Sequence, residues 1–468
     1  MRGGIAVSEV GAQETPATSP AAPRRAEDPT PPSGTALARA SALNLVARMI
    51  SGGATLGLAI VSTNVLDTHG RGVYALLTTW AGIGAVILTG GTTVLAADLI
   101  HRRRTERVLH GAALAIGIGS AIVVLPIAVA LAFLTGGATL AALVWTALLT
   151  ALVTYSRFEM SIAQANGDVL RVSLTDIAMA ALPLAATLIA ATALNPTAGT
   201  LVAAWAVGAL VTASGQLAAA IRAGLLTLEH AWRVAASIVR RSARVAVASG
   251  TALLCSRIDV FVVAAVLSVS DAGIYSIPVA LAANLLLLSR ALLTAAYHSI
   301  MTAPAEEVVE WLSPALRHSV IVVLAGGALS LPVVAVTSGF VFGDAYDDIW
   351  KPYAFLVPAS AFLCVGEVLR HFLLTRLERQ NEMLLVATGM LLANGVLAAA
   401  GAATFGLVGA AASTTIAYAL AAVALVAICA RTLGVTMREL ALPRRSDFAA
   451  YWRTGRSVLR RRPGAGPP

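Results

Sequence analysis

The sequence predicts an all-α integral membrane protein with about twelve transmembrane helices in two halves of six. Three observations lead there. Twelve apolar stretches of about 20 residues or more run through the 468-residue chain, each long enough to cross ~30 Å of hydrocarbon as a helix. Mean hydropathy is +0.81, with 58% hydrophobic and 12% charged residues; a soluble domain carries roughly 25% charged residues. Arginine falls almost entirely into every second gap between the stretches, and basic residues mark cytoplasmic loops.

The elements follow in chain order. Residues 1–36 are rich in Ala, Pro, Thr and Ser and are expected to form a disordered cytoplasmic tail. No short apolar h-region precedes the first helix, so no cleaved signal peptide is expected and that helix serves as an uncleaved anchor. The N-terminal half, 37–222, holds helices over 43–66, 73–99, 108–134, 139–164, 170–193 and 198–221. The connector 223–244 carries LLTLEHAWRVAASIVRRSAR and reads as an amphipathic helix on the cytoplasmic surface. The C-terminal half, 245–431, holds helices over 245–268, 274–299, 317–341, 353–376, 382–404 and 407–430, and 432–468 is a basic cytoplasmic tail.

Charge fixes the sidedness. Of 33 basic residues, 26 fall in the tails and loops on the N-terminal side and 2, Arg71 and Lys351, in loops on the other; five lie inside helices. Both termini are therefore expected in the cytoplasm. An internal repeat supports the two halves: VLDTHGRGVY at 65–74 matches VLSVSDAGIY at 266–275 at a constant offset of 201, each linking the first and second helix of its half. Six plus six helices around an axis along the membrane normal place a substrate path between the halves.

Several chemistries are excluded. The net charge of +9 does not indicate nucleic acid, because the arginines flank membrane segments instead of forming one basic face. Cys255, Cys364 and Cys429 all lie in apolar stretches, with neither disulfide nor metal spacing. No P-loop is visible, so uphill transport would need an ion gradient or a partner. The loop around Asp67 is too short to hold an acceptor for glycosyl transfer. No enzymatic activity, metal or cofactor is expected.

Intramembrane charges are the informative residues, since each costs about 3 kcal/mol on insertion scales and faces a cavity or a partner. They are Arg48, Arg157, Arg257, Arg290 and Arg370, with Asp98, Glu159, Asp176, Asp259 and Glu367. Arg257 and Asp259 lie two apart and cannot share a helix face, so one is expected toward the cavity and the other toward a neighbouring helix. Arg48, one turn inside helix 1, Arg257 and Arg290 are expected to line one inward vestibule, where guanidinium suits an anionic phosphate. Snorkelling to the interface is the competing reading for Arg48 and Arg290. Glu367 and His371 share a face of helix 10 and Arg370 reaches Glu367; these form either a coupling or gating cluster or an ion pair locking helix 10 to a neighbour. Arg157 and Glu159 are expected to pair structurally. Asp98 reads as interfacial, and Asp176 as a partner for a cavity arginine; Asp176 and Asp259 are further candidates for coupling or gating.

Four segments carry a family resemblance. LNLVARMISGGATLGLAIVSTNVLDTHGRGVYALLTTWAGIGAVILTGG resembles the opening two helices of polysaccharide-export flippases, and SRIDVFVVAAVLSVSDAGIYSIPVALAANLL resembles their seventh and eighth. FVFGDAYDDIW is similar to their turn between helices 9 and 10, and FGLVGAAASTTIAYAL to the start of helix 12. The resemblance is to Wzx-like flippases of the multidrug/oligosaccharidyl-lipid/polysaccharide (MOP) exporter superfamily. It implies two six-helix lobes in a V around a central cavity, and translocation of an undecaprenyl-diphosphate-linked oligosaccharide or polysaccharide unit across the plasma membrane by alternating access. It places Arg48, Arg257 and Arg290 on the diphosphate or sugar acids. It also implies proton or cation coupling, membrane lipids, and a glycan polymerase and glycosyltransferases as partners. The absence of an arginine from helix 2 and the twelve-helix count set the chain apart from lipid II flippases. The alternative is an ion-coupled multidrug or small-molecule exporter of the same superfamily.

Overall fold

A computed structural model describes residues 34–89, 106–135, 139–304, 307–377 and 379–442. Residues 1–33, Asp98, Arg102, Arg103, Arg104 and the tail beyond 442 lie outside them. The helices are α1 Gly34–Val65, α2 Thr68–Thr89, α3 Glu106–Thr135, α4 Leu140–Ala165, α5 Val169–Ala193 and α6 Ala198–Arg222. They continue as α7 Ala231–Cys255, α8 Ile258–Val266, α9 Val269–Thr302, α10 Val308–Phe342, α11 Trp350–His371, α12 Gln380–Leu433 and the short α13 Met437–Ala441.

Ten of the described helices are long and apolar enough to cross a membrane. Two features bring the number of crossings to twelve. α7 and α8 meet at a 48° bend and together make one broken span. α12 is 54 residues long, and Gly406 interrupts it with φ 62° and ψ −144°, a conformation that glycine alone adopts without strain. The Thr414 hydroxyl donates to Asn394 Oδ1 at 3.1 Å. Twenty residues of straight helix would hold those atoms about 30 Å apart, so α12 folds back as a hairpin of two spans.

Each half builds its own core. Leu143, Leu149, Leu201 and Val202 are buried in the N-terminal half, and Tyr275, Tyr353, Cys364 and Phe372 in the C-terminal half. The outward faces are apolar: Phe340 is 94% exposed and Val336 84%. Such side chains lower the free energy by facing hydrocarbon, and the chain is a multi-pass membrane protein.

Several boundaries differ from the sequence reading. α1 begins nine residues before the predicted start, which sets Arg48 four turns inside it instead of one. The connector helix is not a separate surface element. It starts at Ala231 and runs unbroken into the seventh span, its first turns packed through Ala235 and Ile238 onto α3 and α4. α10 starts at Val308, and Arg317, counted as a loop charge, is buried within it, where its Nε donates to the Ser313 carbonyl at 3.2 Å.

Candidate substrate cavity

Between the halves lies a cavity of about 630 Å³, within the usual range for small-molecule sites. Five arginines line it, Arg71, Arg157, Arg257, Arg290 and Arg370, against two carboxylates, Asp259 and Glu367.

The broken span positions Arg257. α7 ends at Cys255 and α8 starts at Ile258, which leaves Arg257 as the residue before the new helix. A break in lipid requires other partners for the freed backbone groups. Here the Cys255 carbonyl accepts from Asn394 Nδ2 at 2.9 Å and from the Tyr418 hydroxyl at 3.1 Å, both on α12. Two residues on, Asp259 is 1% exposed and turns into the C-terminal half, where its carboxylate accepts from Tyr275 at 2.9 Å and Thr414 at 3.3 Å. The guanidinium of Arg257 stays in the cavity within electrostatic range of Asp259 and Arg290, with no hydrogen bond or ion pair among the described residues.

Arg290 is committed. Its Nε and Nη2 clamp Glu367 of α11 at 3.1 and 2.6 Å, joining α9 to α11. Arg370 lies within electrostatic range of Glu367 and Arg290 but makes no hydrogen bond or ion pair among the described residues. His371 ends α11, and its side chain lies outside the description. A π-helical turn, Phe372–Arg376, follows, and the Arg376 guanidinium donates to the carbonyls of Ile300 and Ala303, around the C-terminus of α9.

Arg48 and Asp176 lie beside the cavity and not on its lining. α1 packs against α5, the Ser51 hydroxyl donates to the Asp176 carbonyl at 3.1 Å, and Asp176 sits within electrostatic range of Arg48, Arg157 and Arg290. That packing corrects the expected placement of Arg48 on the vestibule wall.

Two lining residues escaped the sequence reading. Arg157 is exposed to the cavity and makes no hydrogen bond or ion pair among the described residues, whereas Glu159 points into its own half; the two do not pair. Arg71, counted as an outer-loop charge, stands in the first turn of α2, 5% exposed, with its guanidinium 5.3 Å from the Tyr74 ring centre. Helix 2 therefore does carry an arginine. The signal was present: Asp67 accepts from the Gly70 amide at 2.8 Å as a helix N-cap, and an Asp at that spacing marks a helix start at residue 68.

The halves meet at the end of the cavity near Arg71. A Cβ on Gly72 would overlap the Val269 carbonyl, and one on Gly273 would overlap the Thr68 carbonyl. These glycines occupy the same position in the two copies of the repeat, so the repeat places backbone against backbone. Asn64 Nδ2 adds a hydrogen bond to the Val341 carbonyl at 2.9 Å.

Neither a protein-family model nor a curated protein sequence matches the chain. Solved structures do. An inward-facing multidrug resistance MATE-family transporter of the MOP superfamily superposes with a TM-score of 0.65 at 14% identity over 84% of this chain and 98% of that one. A MOP-superfamily transporter from Pyrococcus furiosus, described as having a binding pocket of reverse polarity, gives 0.62 at 15% identity, covering 86% and 96%. The lipid II flippase MurJ in an inward closed conformation gives 0.59 at 11% identity, covering 86% and 89%. This chain is a multi-pass membrane protein with the fold of the MOP-superfamily transporters.

Proposed function

We propose that the protein is a transporter that moves a lipid-linked oligosaccharide or polysaccharide unit, carried on a diphosphate, from the inner to the outer leaflet by alternating access. The observation that carries this reading is the set of uncommitted guanidinia in the cavity: Arg157, Arg257 and Arg370 line it without a hydrogen bond or ion pair among the described residues. Cations within a membrane body call for a cavity or an anionic partner, and a diphosphate supplies several charged oxygens to planar donor forks. Arg290 serves as the fixed centre. Glu367 holds it in place, and Arg157, Arg257 and Arg370 all lie within its electrostatic range. Cytoplasmic termini fit substrate entry from the inner leaflet.

The second reading, an ion-coupled exporter of small molecules, is favoured by Asp259, whose carboxylate sits among the Tyr275 and Thr414 hydroxyls as a coupling site would. Ion coupling is compatible with both cargoes, and the polarity of the cavity favours the anionic one. Arg257→Ala abolishes surface glycan assembly while protein levels in the membrane stay normal. Normal glycan in that variant removes the flippase reading, and loss of resistance to small cationic compounds in its place supports the exporter.

A further inference from the structure

Arg71 is not part of the cluster around Arg290. α8 has nine residues and runs from Arg257 toward the closed end of the cavity, a rise of roughly 14 Å. Arg71 stands at that end, beside the contact between Gly72 and Val269. The groups that act electrostatically on Arg71 are Tyr74 and Tyr346, and those that act on Arg257 are Asp259, Tyr418 and Arg290, so the two guanidinia belong to separate clusters.

The surroundings of Arg71 are those of a receptor. Its Nε and the hydroxyls of Tyr74 and Tyr346 are all buried and have no hydrogen-bond partner among the described residues. Tyr346 lies within electrostatic range of the guanidinium. Among the described residues no carboxylate pairs with Arg71; Asp67, within electrostatic range of Tyr346, accepts from the Gly70 amide as the N-cap of α2. Tyr74 and Trp205, with ring centres 6.4 Å apart, add an aromatic wall on the cavity side. One planar donor fork and two phenol donors fit one oxyanion, and the neighbouring rings fit the apolar face of a sugar.

We propose that Arg71, Tyr74 and Tyr346 form a second oxyanion site at the closed end of the cavity, about one helix segment away from the diphosphate site. This rests on the flippase reading for its cargo. The oxyanion has two possible sources: an acid group on the sugar part, or the diphosphate itself at a later stage of transport. The separation from Arg257 favours the first, with both sites filled at once by one cargo whose glycan is acidic.

Calorimetry on the full chain in nanodiscs tests this with three probes: glucuronate, glucose and inorganic pyrophosphate. The expected result is that glucuronate binds and glucose does not. Arg71→Ala weakens glucuronate by roughly tenfold or more, while Arg257→Ala weakens pyrophosphate and leaves glucuronate unchanged. Tyr74→Phe with Tyr346→Phe keeps the guanidinium and removes two donors, so it weakens glucuronate even where Arg71→Ala does not fold. Glucuronate binding that is absent in the wild type, or indifferent to both sets of substitutions, overturns the site. Pyrophosphate binding that depends on Arg71 assigns the site to the diphosphate and overturns the acidic glycan. Pyrophosphate binding indifferent to Arg257, with glucuronate still dependent on Arg71, removes the flippase reading and leaves the second site standing.

Discussion

The two halves use the same acid in opposite ways. An offset of 208 residues relates His110 to His318, Glu159 to Glu367 and Arg171 to Arg379. In the N-terminal half Glu159 is fully buried; His110 Nδ1 hydrogen-bonds with its carboxyl group, 2.8 and 2.9 Å from the two oxygens, and Arg171 pairs with it at 3.1 Å. In the C-terminal half Arg379 turns instead to Glu382 at 2.8 Å, and Glu367 opens to the cavity, where Arg290 clamps it. The acid ties α3, α4 and α5 together in one half and faces the cavity in the other.

Substitutions break or sharpen this comparison, starting with the largest effect. Glu159→Ala leaves His110 and Arg171 facing a buried gap and is expected to lower stability by about 3–5 kcal/mol, read by thermal unfolding in detergent. A wild-type melting curve would end the claim that Glu159 is scaffolding. At the closed end of the cavity the halves behave alike, because Gly72 and Gly273 seal against each other's helices. Gly72→Ala is expected to cost about 1–3 kcal/mol in the closed state, shifting the open-to-closed ratio by about 5- to 150-fold. Cross-linking between cysteines placed on α2 and α9 at that end measures it, and unchanged cross-linking would dismiss the glycine contact as a gate. Asn64→Ala removes one hydrogen bond between the halves, worth about 0.5–1.5 kcal/mol, and the same cross-link reports a smaller loss in the same direction. Glu367→Gln is expected to cost less stability than Glu159→Ala, because Glu367 and Arg290 are 16% and 43% exposed where Glu159 is fully buried. It is expected to alter the pH profile of transport if Glu367 serves in coupling or gating. A large stability loss with an unaltered profile would make Glu367 the equal of Glu159.

Much of the fold was legible because the apolar windows, the alternating arginines and the repeat are each long-range patterns. The opposition expected of Arg257 and Asp259 assumed an unbroken helix, whereas Arg257 precedes α8 and both residues border the cavity. The break at Ser256 and Arg257 was not legible, because no glycine or proline marks it; Asn394 and Tyr418 stabilise it from more than 130 residues away. Arg71 was misplaced by a helix start set five residues late, although the Asp67 cap was in view. Ser268, its counterpart at the offset of 201, caps α9 in the same manner through the Asp271 amide at 3.0 Å. Arg157 and Glu159 were both read as structurally paired; Glu159 is, through Arg171 and through His110, 49 residues away on α3, whereas Arg157 makes no ion pair among the described residues.

The central claim is that the uncommitted cavity arginines carry the diphosphate of a lipid-linked glycan. Flipping of a fluorescent undecaprenyl-diphosphate-linked sugar in proteoliposomes tests it most directly, with wild-type protein and Arg257→Ala compared at equal reconstitution. The account predicts that the wild type moves the probe between leaflets and that the variant falls by roughly tenfold or more, the loss of one charge-assisted contact. Equal rates in the two, or a wild-type rate no faster than in protein-free liposomes, would contradict it.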